Sequence, residues 1–328
     1  MPGLRTPIVA VALIAVALVA MALALAACPI GTPRERDRDA GPDDTGYPAP
    51  RTDVTAALGS AGTLDLAAWN LKNFPCGNAS FETTCRSDQP ASVELVSDLI
   101  ASMALDLVAV EEIADEDAFA EIVARLPDHE GVLSTDSYFD GTYQKIGLIY
   151  DATVLAAGEP LLLFASSDDF PRPALQVELT WTGAGEPLTL LLIALHLKAG
   201  ETSTDRGERT RAIAQLEQYV SNLVDGAGQD NVIVLGDFNE TLDAEGLPVF
   251  QPLRDTARYT IQTLANFNAG EETFLASGAI LDHIVTTAAL ASAIDGARSK
   301  IPRLQYDVED YRGRVSDHLP VALSLANP

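Results

Sequence analysis

Short aliphatic runs alternate along the chain with stretches of helical spacing, and most of the short runs stop at a polar residue. Residues 231–240 (NVIVLGDFNE) set the pattern. Four aliphatic residues, 232–235, read as a strand buried on both faces; Gly236 ends it, and Asp237 and Asn239 follow. Residues two apart in extended backbone point the same way, so this carboxylate and amide share a face. A turn would use the same residues, since Gly, Asp and Asn all favour turns. Further strands are expected over residues 63–70, 105–110, 131–133, 144–150, 161–164, 174–180, 188–195 and 280–285. Apolar spacing predicts helices over 91–103, 116–125 and 203–224, whereas 246–279 is loop-rich and shows no usable period.

The polar residues at these strand ends are Asn70, Glu112, His196, Asp237, Asn239, Asp282, Asp317 and His318. Any one of them is explained by a turn or a loop hydrogen bond. Together they are hard to attribute to core packing, and layered α/β folds gather their sites where strand ends converge. Glu111 and Glu112 are adjacent, so regular alternation would turn one to the site and leave the other solvated. Glu112, Asp237 and Asp317 are hard oxygen ligands with no thiolate among them, which suits Mg²⁺ or Mn²⁺, with Ca²⁺ as an alternative. His318 can move a proton near neutral pH and Asp282 can hold its tautomer. Arg172 lies between Pro171 and Pro173 and is therefore rigidly presented, although a surface arginine is the plainer reading. No serine or cysteine nucleophile motif is evident.

The chain of 328 residues is 47% hydrophobic, enough for one large α/β domain with appendages. Lys and Arg number 21 against 47 Asp and Glu, a net charge of −26. Such a surface repels polyanions and weakens any tight, metal-free binding of nucleic acid. It leaves open an enzyme that meets phosphate through a metal ion. Arg5 and the apolar run 8–27 precede Cys28, the arrangement of a lipoprotein signal cut before a lipid-bearing cysteine; an uncleaved membrane anchor of about twenty residues is the rival reading. Either way the rest is expected to be exported; the lipoprotein reading places it lipid-anchored at the cell envelope, and a monomer is expected. Residues 28–62 are rich in Pro, Gly, Arg and Asp and are expected to form a flexible tether to a domain over 63–328. Cys76 and Cys85 close a short loop, and in an oxidising compartment a disulfide between them is expected, stabilising by roughly 2–3 kcal/mol.

The ordered set WNLKNF, AVEEI, FPRP, LHLKA, GDFN, LDHI and SDHLPV resembles the endonuclease/exonuclease/phosphatase superfamily, the fold of deoxyribonuclease I, from about Thr63 to the C-terminus. That resemblance implies a four-layer α/β/β/α sandwich of two packed mixed sheets and metal-dependent phosphoester hydrolysis. It implies Asn70 and Glu112 at the metal, with Asp317 completing or supporting the shell. Arg172 and His196 match phosphate-contacting positions, while Asp237 and Asn239 match those that orient water or stabilise the transition state. His318, paired with Asp282, matches the base or electrostatic partner of the scissile phosphate. Glu111 departs from the pattern, which usually has Gln there. His283 stands where an aromatic is common and is expected behind the site. Tyr143 is a weak candidate for substrate contact, and His129 and Lys145 have no assigned role.

Three functions compete at this level. A surface-tethered phosphodiesterase acting on extracellular DNA or RNA leads, because the stretch from His196 to Leu216 resembles that of secreted bacterial nucleases. A lipid or small-molecule phosphoesterase, sphingomyelinase-like or acting on inositol phosphates, is favoured by the acidic surface and disfavoured by only 6% aromatic residues. A non-catalytic binding lipoprotein on a decayed scaffold should have lost motif residues, and none is lost.

Overall fold

Alternation of apolar residues on both strand faces produces two sheets that share one core. The computed structural model describes residues 46–76, 90–137, 144–293 and 299–326. In chain order the elements are β1 (Thr63–Phe74), α1 (Pro90–Met103), β2 (Leu107–Ile113), α2 (Glu116–Arg125), β3 (His129–Leu133), β4 (Lys145–Asp151), β5 (Leu155–Ala157), β6 (Leu161–Leu163), β7 (Ala174–Trp181) and β8 (Leu188–His196). They continue with α3 (Ser203–Asn222), β9 (Val232–Asp237), β10 (Tyr259–Ile261), α4 (Leu264–Asn268), β11 (Asp282–Thr287), α5 (Ala288–Ala293), β12 (Ser299–Lys300), α6 (Leu304–Asp307), α7 (Tyr311–Arg314) and β13 (Val321–Ala326). One sheet runs β12-β13-β1-β2-β4-β3; the other runs β10-β11-β9-β8-β7-β5, with β6 also on β7.

Each sheet contains one parallel pair, β1 with β2 and β8 with β9, and every other pairing is antiparallel. A parallel pair needs a crossover, and α1 and α3 supply the two. Alternation along β8 and β9 decides the layers. Leu192, Ala194, Ile233 and Leu235 join the core shared with β1, β2 and α1, whereas Ile193, Leu195, Val232 and Val234 meet Ala212, Ile213, Leu216 and Val220 of α3. The architecture is the expected pair of packed mixed sheets with helices outside.

The segment before β1 departs from the expected tether. Arg51 N donates to Asp98 Oδ1 at 2.8 Å and Val54 N to Ser102 Oγ at 3.1 Å. Leu58 N reaches Met103 O at 2.9 Å, and Val54 and Leu58 pack on the core. Two apolar side chains in a Pro-rich and polar stretch are enough to dock it against the end of α1. The residues expected to carry the signal, and Cys28 and Cys85 with them, lie outside the described residues, and so do the expected disulfide and Tyr143.

Candidate active site

The parallel pairs put four strand ends at one edge. Asn70 sits in β1 opposite Glu111 of β2, and His196 ends β8 directly opposite Asp237, which ends β9. The antiparallel neighbour β11 begins at the same edge, with Asp282 opposite Asp237. Before β13, His318 forms a bridge with Phe274, and their rings lie 4.8 Å apart.

Asn70 ties the two sheets together. Its Nδ2 donates to Glu112 Oε1 at 3.2 Å and to Asp237 Oδ2 at 3.0 Å, and its Oδ1 accepts from Lys72 N at 2.9 Å. Asn73 N donates to Glu112 Oε2 at 2.8 Å. His196 Nε2 stands 3.7 Å from Glu112 Oε1 and 3.6 Å from Asp237 Oδ2, beyond hydrogen-bond range. Burial, then Arg172 and His318, hold this imidazole well below its ordinary pKa, so it is neutral and these are not ion pairs.

His318 and Asp282 are in contact, with Nδ1 and Oδ2 2.9 Å apart in a buried setting. Burial alone would lower the histidine pKa, but Asp282, by charge and hydrogen bond, then Asp237 and Asp317, outweigh it and raise His318 to about 10. The imidazole is an imidazolium at neutral pH, its Nε2 3.9 Å from Asp237 Oδ2. Burial and Asp282 push the Asp237 carboxyl up to about 7, against His318, Asn239 N and Asn70, which favour its ionised form. Tyr311 OH donates to His318 O at 2.6 Å and Trp69 Nε1 to Tyr311 OH at 3.1 Å, so a core tryptophan of β1 fixes the histidine backbone.

Other expected residues are placed as follows. Asn239, at φ 51°, donates Nδ2 to Leu197 O at 3.1 Å and its backbone N to Asp237 Oδ1 at 2.8 Å. Arg172 Nε donates to Gln144 Oε1 at 3.1 Å and Nη1 to Leu197 O at 3.2 Å, next to His196. Asp317, expected at the metal, is ion-paired with Lys72 Nζ at 2.8 Å, so its carboxylate already has a cation. His283 lies behind the site between Glu240 O and Thr263 Oγ1. Lys145 is buried on Ser134 O and Asp136 O, and His129 meets Pro127 O, away from the edge.

Glu111 overturns the expectation that one of the adjacent carboxylates is solvated. It is fully buried, neither oxygen has a partner among the described residues, and its closest charged neighbours are Asp282, Asp237 and Glu112. The reason is local. Glu112 adopts φ 61° and the β2–β4 register shifts between Val110 and Ile113, a bulge that breaks the period of two. Lys72 and Asn73, also at positive φ, bend β1 beside it. Lys72, Asn73 and Gln144 join the edge without a mark in the sequence pattern: a bulge leaves hydrophobic alternation unchanged, and Gln144 shows there only as the start of a strand.

The residues present fit a divalent cation. Glu111, Glu112, Asp237 and Asp282 converge here, and Asp237 and Asp282 each bring an oxygen within 4.8 Å of the other. Glu111 has two unpartnered oxygens and Asp282 one. Lys72 and Arg172 are engaged by Asp317 and Gln144. An excess of oxygen donors without thiolates is the donor set of a hard cation.

The profile of the endonuclease/exonuclease/phosphatase family matches residues 67–318, and the chain belongs to that family, which makes it a phosphoester hydrolase by class. Nothing among the curated proteins matches it. Among solved structures, the human nocturnin catalytic domain with bound sulfate has a TM-score of 0.60 at 16% identity, over 85% of this chain and 100% of that one. Truncated Caenorhabditis elegans TDP2 has 0.58 at 13% identity, over 80% and 98%. A mannosyl-6-phosphatase of Bacteroides thetaiotaomicron has 0.56 at 13%, over 79% and 98%. At such identities these establish the shared fold.

Proposed function

We propose that the protein is a divalent-metal-dependent phosphodiesterase that cuts extracellular nucleic acid while held to a membrane through lipid on Cys28. The observation that carries the reading is the meeting of two halves from separate sheets: Asn70 and Glu112 on one side, Asp237 and the His318–Asp282 pair on the other. Mg²⁺ is the cation proposed, with Mn²⁺ or Ca²⁺ able to substitute, and Glu112 and Asn70 would hold it. Such an ion, when bound, polarises a phosphoryl oxygen and offsets the charge that develops there.

The chain's own groups supply the remainder. Arg172, His196 and Asn239 bind and orient the phosphate. Asp237, its carboxyl raised to about 7, takes a proton from attacking water, a value matched to base work near neutral pH. As the new P–O bond forms the bond to the leaving oxygen breaks, and His318, kept protonated and aimed by Asp282, offsets the charge on the phosphate and gives the leaving oxygen its proton from Nε2. Asp317 acts through Lys72, whose ammonium it fixes at the rim.

A second reading, a lipid or small-molecule phosphoesterase, is favoured by the net charge of −26, which opposes a long polyanion. Purified protein incubated with duplex DNA, RNA, sphingomyelin and inositol phosphates, in Mg²⁺ and then in EDTA, separates the two. Cleavage of DNA or RNA that EDTA abolishes is the expected result. Cleavage of sphingomyelin or inositol phosphates alone selects the second reading, and no metal-dependent cleavage of any of them contradicts both.

A further inference from the structure

Among the described residues Arg209 is the third-largest fully buried side chain, and it lies on α3, outside the residues that meet the substrate edge. Its Nη2 donates to Glu240 Oε2 at 2.8 Å and its Nε to the same oxygen at 3.1 Å. Nη1 donates to the carbonyls of Lys198 and Gly200, both at 2.8 Å. Arg209 is 1% and Glu240 4% exposed. Desolvating two charges is expensive, and a core of this size has apolar residues to spare for the position, so stability is a weak reason for the pair.

The groups it binds supply a stronger reason. Lys198 and Gly200 belong to the loop that follows His196, and Glu240 follows Asp237 and Asn239. Asn239 Nδ2 donates back to Leu197 O at 3.1 Å, which closes a circuit through both loops. Glu240 is anchored on its other side, where His283 Nε2 donates to its carbonyl at 2.9 Å and Thr263 Oγ1 holds His283 Nδ1 at 2.8 Å. Burial lowers the His283 pKa to about 4, so this ring is neutral with one donor and one acceptor, as the two contacts require. Asn239, next in line, keeps a left-handed backbone that neighbouring structure must hold.

We propose that Arg209 and Glu240 are positioning residues: a buried clamp that fixes the His196–Gly200 loop against the Asp237–Thr241 loop and so sets His196, Asp237 and Asn239 relative to one another. The effect on rate rests on the hydrolytic reading above; the clamping of the loops does not. Displacing catalytic groups by about 1 Å costs on the order of 100-fold in rate.

The test is a double variant, Arg209→Met with Glu240→Leu, which replaces the ion pair by apolar side chains of similar volume, together with Arg209→Lys, which keeps the charge but cannot reach all three acceptors. Two readings are taken: kcat and KM on bis(p-nitrophenyl) phosphate with Mg²⁺, and hydrogen exchange of peptides covering residues 196–201 and 237–242. Expected is a loss of about 100-fold in kcat per folded molecule with KM changed by less than about threefold, and loop exchange faster by at least about tenfold while the sheets stay protected. A folded double variant with parental kcat and parental loop exchange overturns the proposal. Should the double variant not fold, Arg209→Lys decides by the same readings. A parent that does not cut the diester contradicts the hydrolytic reading instead, and exchange then decides the clamp alone.

Discussion

Glu111 is fully buried among three other carboxylates at the strand-end edge. Burial, then Asp282, Asp237 and Glu112, push its carboxyl well above the ordinary value of 4.5. The folded metal-free protein therefore keeps a proton that the unfolded chain releases, so this contribution is fully present below about 4.5 and is lost as pH rises toward the folded value. Glu111→Gln should remove that loss. In EDTA it should raise the melting temperature at pH 8 and do so much less at pH 4.5, as followed by circular dichroism. An equal effect at both pH values would mean that Glu111 is not held protonated. Strand-end position marks His196, Asp237 and Asp282, and the Asp282–His318 contact exists, whereas Asn70 reaches the same edge from within β1 and Asp317 pairs with Lys72. Lys72 was not legible, because only the folded turn at φ 49° brings its ammonium to Asp317.

At the scale of elements, α2 and β8 could be read almost to the residue, α2 because it buries one face of fixed period and β8 because it is a continuous apolar run buried on both faces. Short pieces could not. β5, β10 and β12 have two or three residues each, too few for a period, and their pairing partners rather than their own sequences make them strands. Gly236 shows why one motif glycine matters to its element. It sits at φ +133°, and an added Cβ would lie 2.0 Å from Leu195 O and 3.0 Å from Glu111 Oε1. Gly236→Ala should destabilise by on the order of 3 kcal/mol through backbone strain and overpacking, a fall of roughly 5–10 °C in melting temperature. A melting temperature equal to that of the parent would show that β8 and β9 can separate there at no cost.

For the whole molecule, a chain with net charge −26 has little cationic surface for phosphate, so on the proposed function affinity would come from the few cations at the site and from a bound metal ion. Among the described residues no helix is long and apolar enough to cross a membrane. Attachment through Cys28 then predicts that Cys28→Ala is released from membranes in cell fractionation; retention with Met1 still present would mean that the run 8–27 is an uncleaved anchor.

On the proposed function, this strand-end edge hydrolyses phosphodiesters with a divalent cation held at Glu112. Hydrolysis of a fluorescent DNA oligonucleotide, followed across a Mg²⁺ titration for the parent and for Glu112→Gln, tests it most directly. The parent should require Mg²⁺ and the variant should lose activity by about 100-fold or more, with its half-saturating Mg²⁺ moved upward, because a neutral amide oxygen binds a hard cation more weakly than a carboxylate. Parental rates and a parental Mg²⁺ titration in a folded Glu112→Gln would contradict it.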